Sequence, residues 1–121
     1  QGPARDGALE ALNSHTLSQV LRGLSRFNEA LKALNRARSI YDRDPDANAA
    51  NLAEVLIDTY TILTRLDDKQ GALPVIQRAV DLSRGKLGPY HWTTARALHN
   101  LAIANRSNGD MTATGTAIRV V

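Results

Sequence analysis

The 121-residue sequence contains no cysteine, which excludes disulfide bonds, thiolate zinc sites and a cysteine nucleophile. Aromatic residues are few, with one Trp, three Tyr and one Phe. The unbroken apolar stretches are a handful of residues long, far short of the roughly 20 that a transmembrane helix needs. The first residues also lack the apolar segment of a secretory signal. We therefore expect an intracellular protein of the cytoplasm that does not enter the membrane.

Charge of one sign is not concentrated anywhere in the chain. There are 15 Lys and Arg against 12 Asp and Glu, which gives a formal net charge of +3. Basic residues alternate with acidic ones, as Glu29 and Lys32 do, and this pattern is typical of a solvated helix surface. A nucleic acid is therefore an unfavoured partner. The 43% of hydrophobic residues are enough for one modest domain core.

Motifs for catalysis and for cofactor binding are also missing. The 8 glycines form neither a G-x-x-x-x-G-K nor a G-x-G-x-x-G string, the two loops that bind phosphates. His15, His91 and His99 are the only candidates for a general base, and no serine or aspartate stands beside them in a nucleophile turn. His91 and His99 are separated by about 80° around a helix, so they do not form a metal-binding i, i+4 pair. The sequence predicts no enzyme, no cofactor and no metal site.

Apolar residues recur with the period of an α-helix, and no segment alternates with period two. Breaks fall at Gly88-Pro89 and at Asn108-Gly109, and Asp44-Pro45 is expected to begin a helix. The pattern predicts six helices in three hairpins, with these stripes buried on the first five helices: Leu17, Val20, Leu21 and Leu24; Phe27, Ala30, Leu31, Leu34 and Ala37; Leu52, Leu56, Thr59, Leu63 and Leu66; Ala72, Ile76, Ala79 and Ser83; Leu98, Leu101, Ala102 and Asn105.

The stripes repeat in register along the chain. Ala30 and Ala72 are 42 residues apart, as are Leu34 and Ile76. A period of this size with one helix pair per unit predicts a solenoid, in which each hairpin buries its apolar face on its neighbours. The units are predicted at about 8–45, 46–88 and 89–121, and residues 1–7 are expected to be disordered or derived from an expression linker.

The second helices of the first two units have the same trio of a small, a large apolar and a small residue, and the third unit has a distinctive loop and helix. These residues are Ala30, Leu34 and Ala37; Ala72, Ile76 and Ala79; the loop Leu87-Gly88-Pro89-Tyr90-His91; and the helix Thr94-Ala95-Arg96-Ala97-Leu98-His99-Asn100-Leu101-Ala102. Together they resemble a known family, the tetratricopeptide repeat, and most of all the 42-residue type found in kinesin light chains. The resemblance implies an all-α, right-handed α-solenoid of three antiparallel helix hairpins, in which His91 braces the loop before its helix.

The resemblance also implies that the first helix of each hairpin lines a concave groove for a protein or peptide partner. Asn100 stands where related repeats hold a ligand's backbone amide with both a donor and an acceptor. Four arginines in the predicted groove favour an acidic peptide or a carboxylate as the ligand: Arg22, Arg65, Arg96 and Arg106. An open alternative is that these arginines pair with Asp58 and Glu54 of the protein itself. The predicted groove residues are His15, Gln19, Arg22, Asp58, Thr61, Arg65, Arg96, His99, Asn100, Ile103 and Arg106.

The function expected from these observations is protein binding by an adaptor or scaffold that holds an extended, acidic peptide in the groove. The alternative is a structural or oligomerisation segment of a larger repeat protein. In that case the uncapped C-terminal face after Val120-Val121 would mediate contacts, including self-association. An RNA-binding helical repeat is a weaker alternative, because repeats that bind RNA bases have a period of about 35 residues.

Overall fold

The computed structural model describes residues 3–107, and it describes side chains from residue 7 to residue 106. Within this range every regular element is an α-helix and none is a strand, which confirms the all-α class. None of these helices is long and apolar enough to cross a membrane. The sixth predicted helix falls in residues 108–121, outside the described residues. The five helices are α1 (Pro3–Gly23), α2 (Phe27–Tyr41), α3 (Ala49–Arg65), α4 (Lys69–Lys86) and α5 (Trp92–Ser107).

The turns after α1 and α3 have the same backbone conformation. Ser25 and Asp67, 42 residues apart, both adopt positive φ, at 59° and 63°. The N–H of the next residue, Arg26 or Asp68, donates to a carbonyl five residues back, at 2.8 Å in both turns. This is the hydrogen bond that closes a helix whose last turn ends in a left-handed residue. The 42-residue period of the sequence is therefore also a period of backbone geometry.

Helices that follow one another in the chain pack against each other. α1 contacts α2, α2 contacts α3, α3 contacts α4 and α4 contacts α5, while α3 also touches α5. Alanines at Ala30, Ala37, Ala72 and Ala79 are buried, and their small side chains let the paired helices approach closely. α3 is the central element of the fold. Its residues from Leu52 to Ile62 are buried, except for Glu54 and Thr61, which are half-buried.

The predicted orientation of α1 is wrong. Of its stripe, Leu21 packs against the core, whereas Leu17, Val20 and Leu24 are more than half exposed. The buried side of α1 consists of small residues, Gly7, Ala11 and Ser18. These residues let α1 approach α2 closely, so that a Cβ on Gly7 would lie 3.2 Å from the Ile40 side chain. Leu17 and Leu21 border a groove between α1 and α2, and the other large apolar residues of α1 are exposed.

The predicted helix start at Asp44-Pro45 is also wrong, because α3 begins at Ala49. Asp44 instead forms a turn in which its carboxylate accepts a hydrogen bond from the Ala47 N–H at 3.2 Å, as aspartate does in turns. The Asn48 amide donates to the Tyr41 carbonyl at 3.3 Å and ties this turn to the end of α2. The predicted break at Gly88-Pro89 is confirmed, since Gly88 has φ 96° between α4 and α5.

Candidate binding face

The predicted groove residues lie on α1, α3 and α5, and we term them, together with Glu54, the polar face. Asp58 is buried, Glu54, His15, Thr61, Arg96 and Asn100 are half-buried, and the remainder are exposed. Two polar contacts join the three helices side by side, one between α1 and α3 and one between α3 and α5. The members are His15, Gln19 and Arg22 on α1; Glu54, Asp58, Thr61 and Arg65 on α3; and Arg96, His99, Asn100, Ile103 and Arg106 on α5.

The contact between α1 and α3 is centred on a buried carboxylate. His15 Nε2 lies 2.7 Å from Asp58 Oδ2, and Arg22 Nη1 lies 3.9 Å from Asp58 Oδ1. Only 8% of Asp58 is exposed, and a carboxylate so removed from water is costly unless it has partners. His15 and Arg22 provide those partners. Asp58 therefore holds the first hairpin against the second and has little free surface for a ligand.

The contact between α3 and α5 is centred on Glu54. Arg96 Nη1 donates to one carboxylate oxygen at 2.6 Å, and the Thr93 hydroxyl donates to the other at 2.8 Å. The Arg96 guanidinium also lies 4.9 Å from the centroid of the Trp92 ring, within the range of a cation–π contact. Arg96 is thus fixed by two neighbours, and its charge is balanced inside the protein.

Other groups of the polar face are open to a ligand. Within residues 3–107, five polar side chains of the face have no hydrogen-bond or ion-pair partner. Thr61 differs from them, because its hydroxyl donates to the Ile57 carbonyl at 3.2 Å. Amides offer a donor and an acceptor, and guanidinium groups offer forked donors for carboxylates. The open groups are Gln19, Arg65, His99, Asn100 and Arg106.

Three arginines stand at the same end of the polar face. Arg22, Arg65 and Arg106 are the basic residues in the last turns of α1, α3 and α5. Cations in this position are favourable for each helix, because the C-terminal end carries partial negative charge. Arg22 is drawn toward Asp58, whereas Arg65 and Arg106 keep their guanidinium groups free. This end of the face therefore presents two guanidinium groups that have no ion-pair partner among residues 3–107.

The loop before α5 confirms the predicted role of His91. Its ring Nδ1 accepts a hydrogen bond from the Thr93 N–H at 3.1 Å, which satisfies a backbone donor of the first helical turn. The Thr94 hydroxyl donates to the Gly88 carbonyl at 2.8 Å and closes the loop from the other side. In the part of the chain described, histidines and carboxylates do not form a cluster of three that could hold a metal ion.

Sequence reasoning missed Thr93 and Trp92, the two α5 residues that fix Arg96 or its acceptor. The pairing of Arg96 with Glu54 was an open alternative in the sequence and is observed here, and the spacing of 42 residues between the two is a signal for it. Thr93 and Trp92 gave no such signal, since their placement depends on where α5 begins. No family model matches the chain, and no curated protein matches it in sequence.

Proposed function

We propose that the chain is a tetratricopeptide-like solenoid that acts as an adaptor or scaffold by binding an extended, acidic peptide across the polar face. The repeated turn at Ser25 and Asp67 supports the solenoid. One observation above all supports peptide binding: α1, α3 and α5 are joined side by side by the Asp58 and Glu54 contacts, while unpaired amide and guanidinium groups flank those contacts. The module binds without chemistry of its own.

An extended peptide suits this face because its backbone presents an amide and a carbonyl every 3.3 Å or so. The Asn100 amide can donate to one of these groups and accept from the other, which holds the peptide without selecting a side chain. Arg65 and Arg106 select at the end of the face where they stand. Their guanidinium groups match acidic side chains or a terminal carboxylate through forked hydrogen bonds.

The test is a selection of displayed proteome peptides on the native protein and on two double variants. The first, Asn100→Ala with Arg65→Ala, removes one amide and one guanidinium that have no partner inside the described chain. The matched control, Gln77→Ala with Arg84→Ala, removes the same two chemical groups from exposed positions on α4. Arg96 is left intact, because its loss would break the contact with Glu54.

The native protein and the control should enrich the same acidic peptides, and the Asn100 and Arg65 variant should not. For an enriched peptide, fluorescence anisotropy should show at least about a tenfold weaker Kd with Arg65→Ala alone, since a hydrogen bond to a charged group contributes about 1.5–3 kcal/mol. Enrichment of the same peptides by both double variants would exclude the polar face as the site. Enrichment of none by the native protein would exclude peptide capture.

A further inference from the structure

Trp92 presents a large aromatic surface to solvent at the start of α5. It is the only tryptophan of the chain, and 65% of it is exposed. The Arg96 guanidinium lies 4.9 Å from the centroid of its ring, and Arg96 is itself held by Glu54 at 2.6 Å. The indole is therefore supported from one side while most of its surface meets water, as in an aromatic side chain that anchors a partner.

Trp92 lies on the same side of α5 as two groups of the polar face. At about 100° per residue, Trp92, Asn100 and Arg106 lie within an arc of about 120°. Asn100 and Arg106 follow Trp92 by 8 and 14 residues, which is about 12 and about 21 Å of helix axis. An indole, an amide and a guanidinium thus stand in line along one helix.

The two ends of the polar face differ in charge. Ala8, Ala50 and Trp92 occupy the same register of α1, α3 and α5, at intervals of 42 residues, and all three are uncharged and exposed. The opposite end has Arg65 and Arg106, which have no ion-pair partner in the described part of the chain. A ligand that fits both ends has an apolar group at one end and an acid at the other.

A further hairpin after α5 would not close this line of groups if it packed as α5 packs beside α3. Ala50 and Thr64 hold the registers of Trp92 and Arg106 one repeat earlier. Both are exposed, although α3 has α5 as a neighbour. The registers of Trp92 and Arg106 are thus accessible within the repeat itself.

The surroundings of Trp92 favour an apolar ligand group over an acid. Two nearby groups that attract acids already have partners inside the protein. Arg96 donates to Glu54 at 2.6 Å, and the Thr93 N–H donates to His91 Nδ1 at 3.1 Å. The indole remains, and packing an apolar side chain on it removes apolar surface of both partners from water.

We propose that the bound peptide runs along α5, packs a large apolar side chain on Trp92 and places its acidic group on Arg65 and Arg106. This inference rests on the proposed function and specifies the class of peptide. Extended backbone advances about 3.3 Å per residue, so about 21 Å corresponds to about six residues. The apolar side chain and the acid are therefore about six residues apart, and Asn100 holds the backbone between them.

The first test is a selection from a displayed library in which one leucine and a pair of glutamates are separated by a variable number of random residues. The native protein should enrich peptides with about six residues between them. Trp92→Ala should still enrich the acids but show no preferred spacing, whereas Trp92→Phe, which keeps a ring, should retain it. Tyr90→Ala is the matched control, because it removes an aromatic side chain that is 99% exposed and precedes α5, and it should behave as the native protein.

The outcomes separate this inference from the proposed function. Enrichment of acidic peptides without a preferred spacing, or the same spacing with Trp92→Ala, would overturn the role of Trp92 and leave acidic peptide binding in place. A native protein that enriches no acidic peptide would overturn both. Circular dichroism of Trp92→Ala checks that the helices are retained.

The second test observes the contact directly. Because Trp92 is the only tryptophan, its fluorescence reports one site. An enriched peptide without tryptophan should shift the emission to shorter wavelength as the indole leaves water. Replacing the leucine of that peptide by glycine should weaken Kd by about tenfold or more and abolish the shift. Binding of the leucine peptide with unchanged emission, or equal Kd values for the two peptides, would exclude Trp92 as the apolar contact.

Discussion

α1 and α3 occupy the same place in successive hairpins, yet they build their packed sides from residues of different size. Both end in the same left-handed turn, 42 residues apart. The difference lies in the residues toward the second helix of each hairpin. At equivalent positions α1 has Gly7, Ala11, Ser14 and Ser18, and α3 has Ala49, Ala53, Leu56 and Tyr60.

This contrast separates what determines helix position from what determines core size. The shared turn and period place each helix, whereas side-chain volume decides how much apolar surface the helix buries. α3 buries Leu56 and Tyr60, and burial raises the pKa of the Tyr60 phenol, which keeps it neutral in the core. α1 approaches α2 through small residues and leaves its leucines outside. We therefore expect α3 to contribute more to stability than α1.

We expect the largest loss of stability from Ile62→Ala on α3 and a much smaller loss from Val20→Ala, the same kind of change at the equivalent position of α1. Ile62 is buried, and its truncation should lower the free energy of unfolding by about 2–5 kcal/mol through lost burial and a cavity. Val20 is more than half exposed, and its truncation should cost less than about 1 kcal/mol. Urea unfolding followed by circular dichroism, at concentrations below any self-association, measures both. Equal costs would show that α1 and α3 do not differ in burial.

The side of α1 that packs against the core was predicted wrongly, and this error shows the limit of a leucine stripe as a signal. A helical stripe of leucines predicts a helix, but it does not say which side meets the core. α1 has a second stripe at the same period, Gly7, Ala11, Ser14 and Ser18, and small residues give almost no hydrophobic signal. On α2, α3 and α4 the predicted stripe lies on the packed side, because large and small residues share that side, as Ala72 and Ile76 do on α4. On α5 the prediction is wrong at Ala102, which is exposed, whereas Ala97 and Ala104 are buried.

The polar face was predictable only in part for a related reason. The helical period places His15, Asp58 and Asn100 on first helices, because it is a local property of the sequence. Which groups pair and which stay open depends on the offset between helices. Asn100 is open while Asp58, 42 residues earlier, contacts His15, although both occupy the same register. The partner at that register differs, and only the packed structure supplies it.

We expect the next largest loss of stability when the contact of Asp58 with His15 and Arg22, which joins the two hairpins, is removed. Asp58→Ala should lower the free energy of unfolding by about 1–3 kcal/mol, because His15 and Arg22 lose a buried acceptor. Glu54→Ala should cost less, since Arg96 and Glu54 are more exposed than His15 and Asp58. A double-mutant cycle with His15→Ala and Asp58→Ala measures the pair directly. A coupling free energy near zero would mean that the contact does not hold the hairpins together.

A smaller effect should come from the shared turn. Ser25 and Asp67 adopt positive φ, which costs a residue with a Cβ about 1–2 kcal/mol. Glycine removes that cost but adds flexibility to the unfolded chain, so each change to glycine should stabilise by less than about 1 kcal/mol. Ser25→Gly should gain more than Asp67→Gly, because aspartate tolerates this conformation better than serine. Thermal unfolding of both variants ranks the gains, and loss of stability in both would contradict the strained turn.

We expect the smallest difference in stability between Arg36→Ala and Arg78→Ala. These two arginines are 42 residues apart and have different partners. Arg36 pairs with Glu10 inside the first hairpin, and both side chains are at least half exposed. Arg78 pairs with Asp42 at the end of α2 and thereby joins the hairpins, with a hydrogen bond of 2.9 Å to Oδ2. Side-chain exposure there falls to 42% and 32%. Arg78→Ala should cost up to about 1 kcal/mol and Arg36→Ala close to nothing.

The pH dependence of that cost identifies its source. The hydrogen bond and charge of Arg78 hold the pKa of Asp42 below its ordinary value. A lowered pKa in the folded state gives stability that is fully present above the unfolded value, about pH 4, and is lost as pH falls through the folded value. The cost of Arg78→Ala should therefore shrink below about pH 4 and vanish when Asp42→Asn is already present. A cost that persists at low pH would come from the packing of the arginine stem instead of its charge, and the two hairpins would then be joined by apolar contact alone at this point.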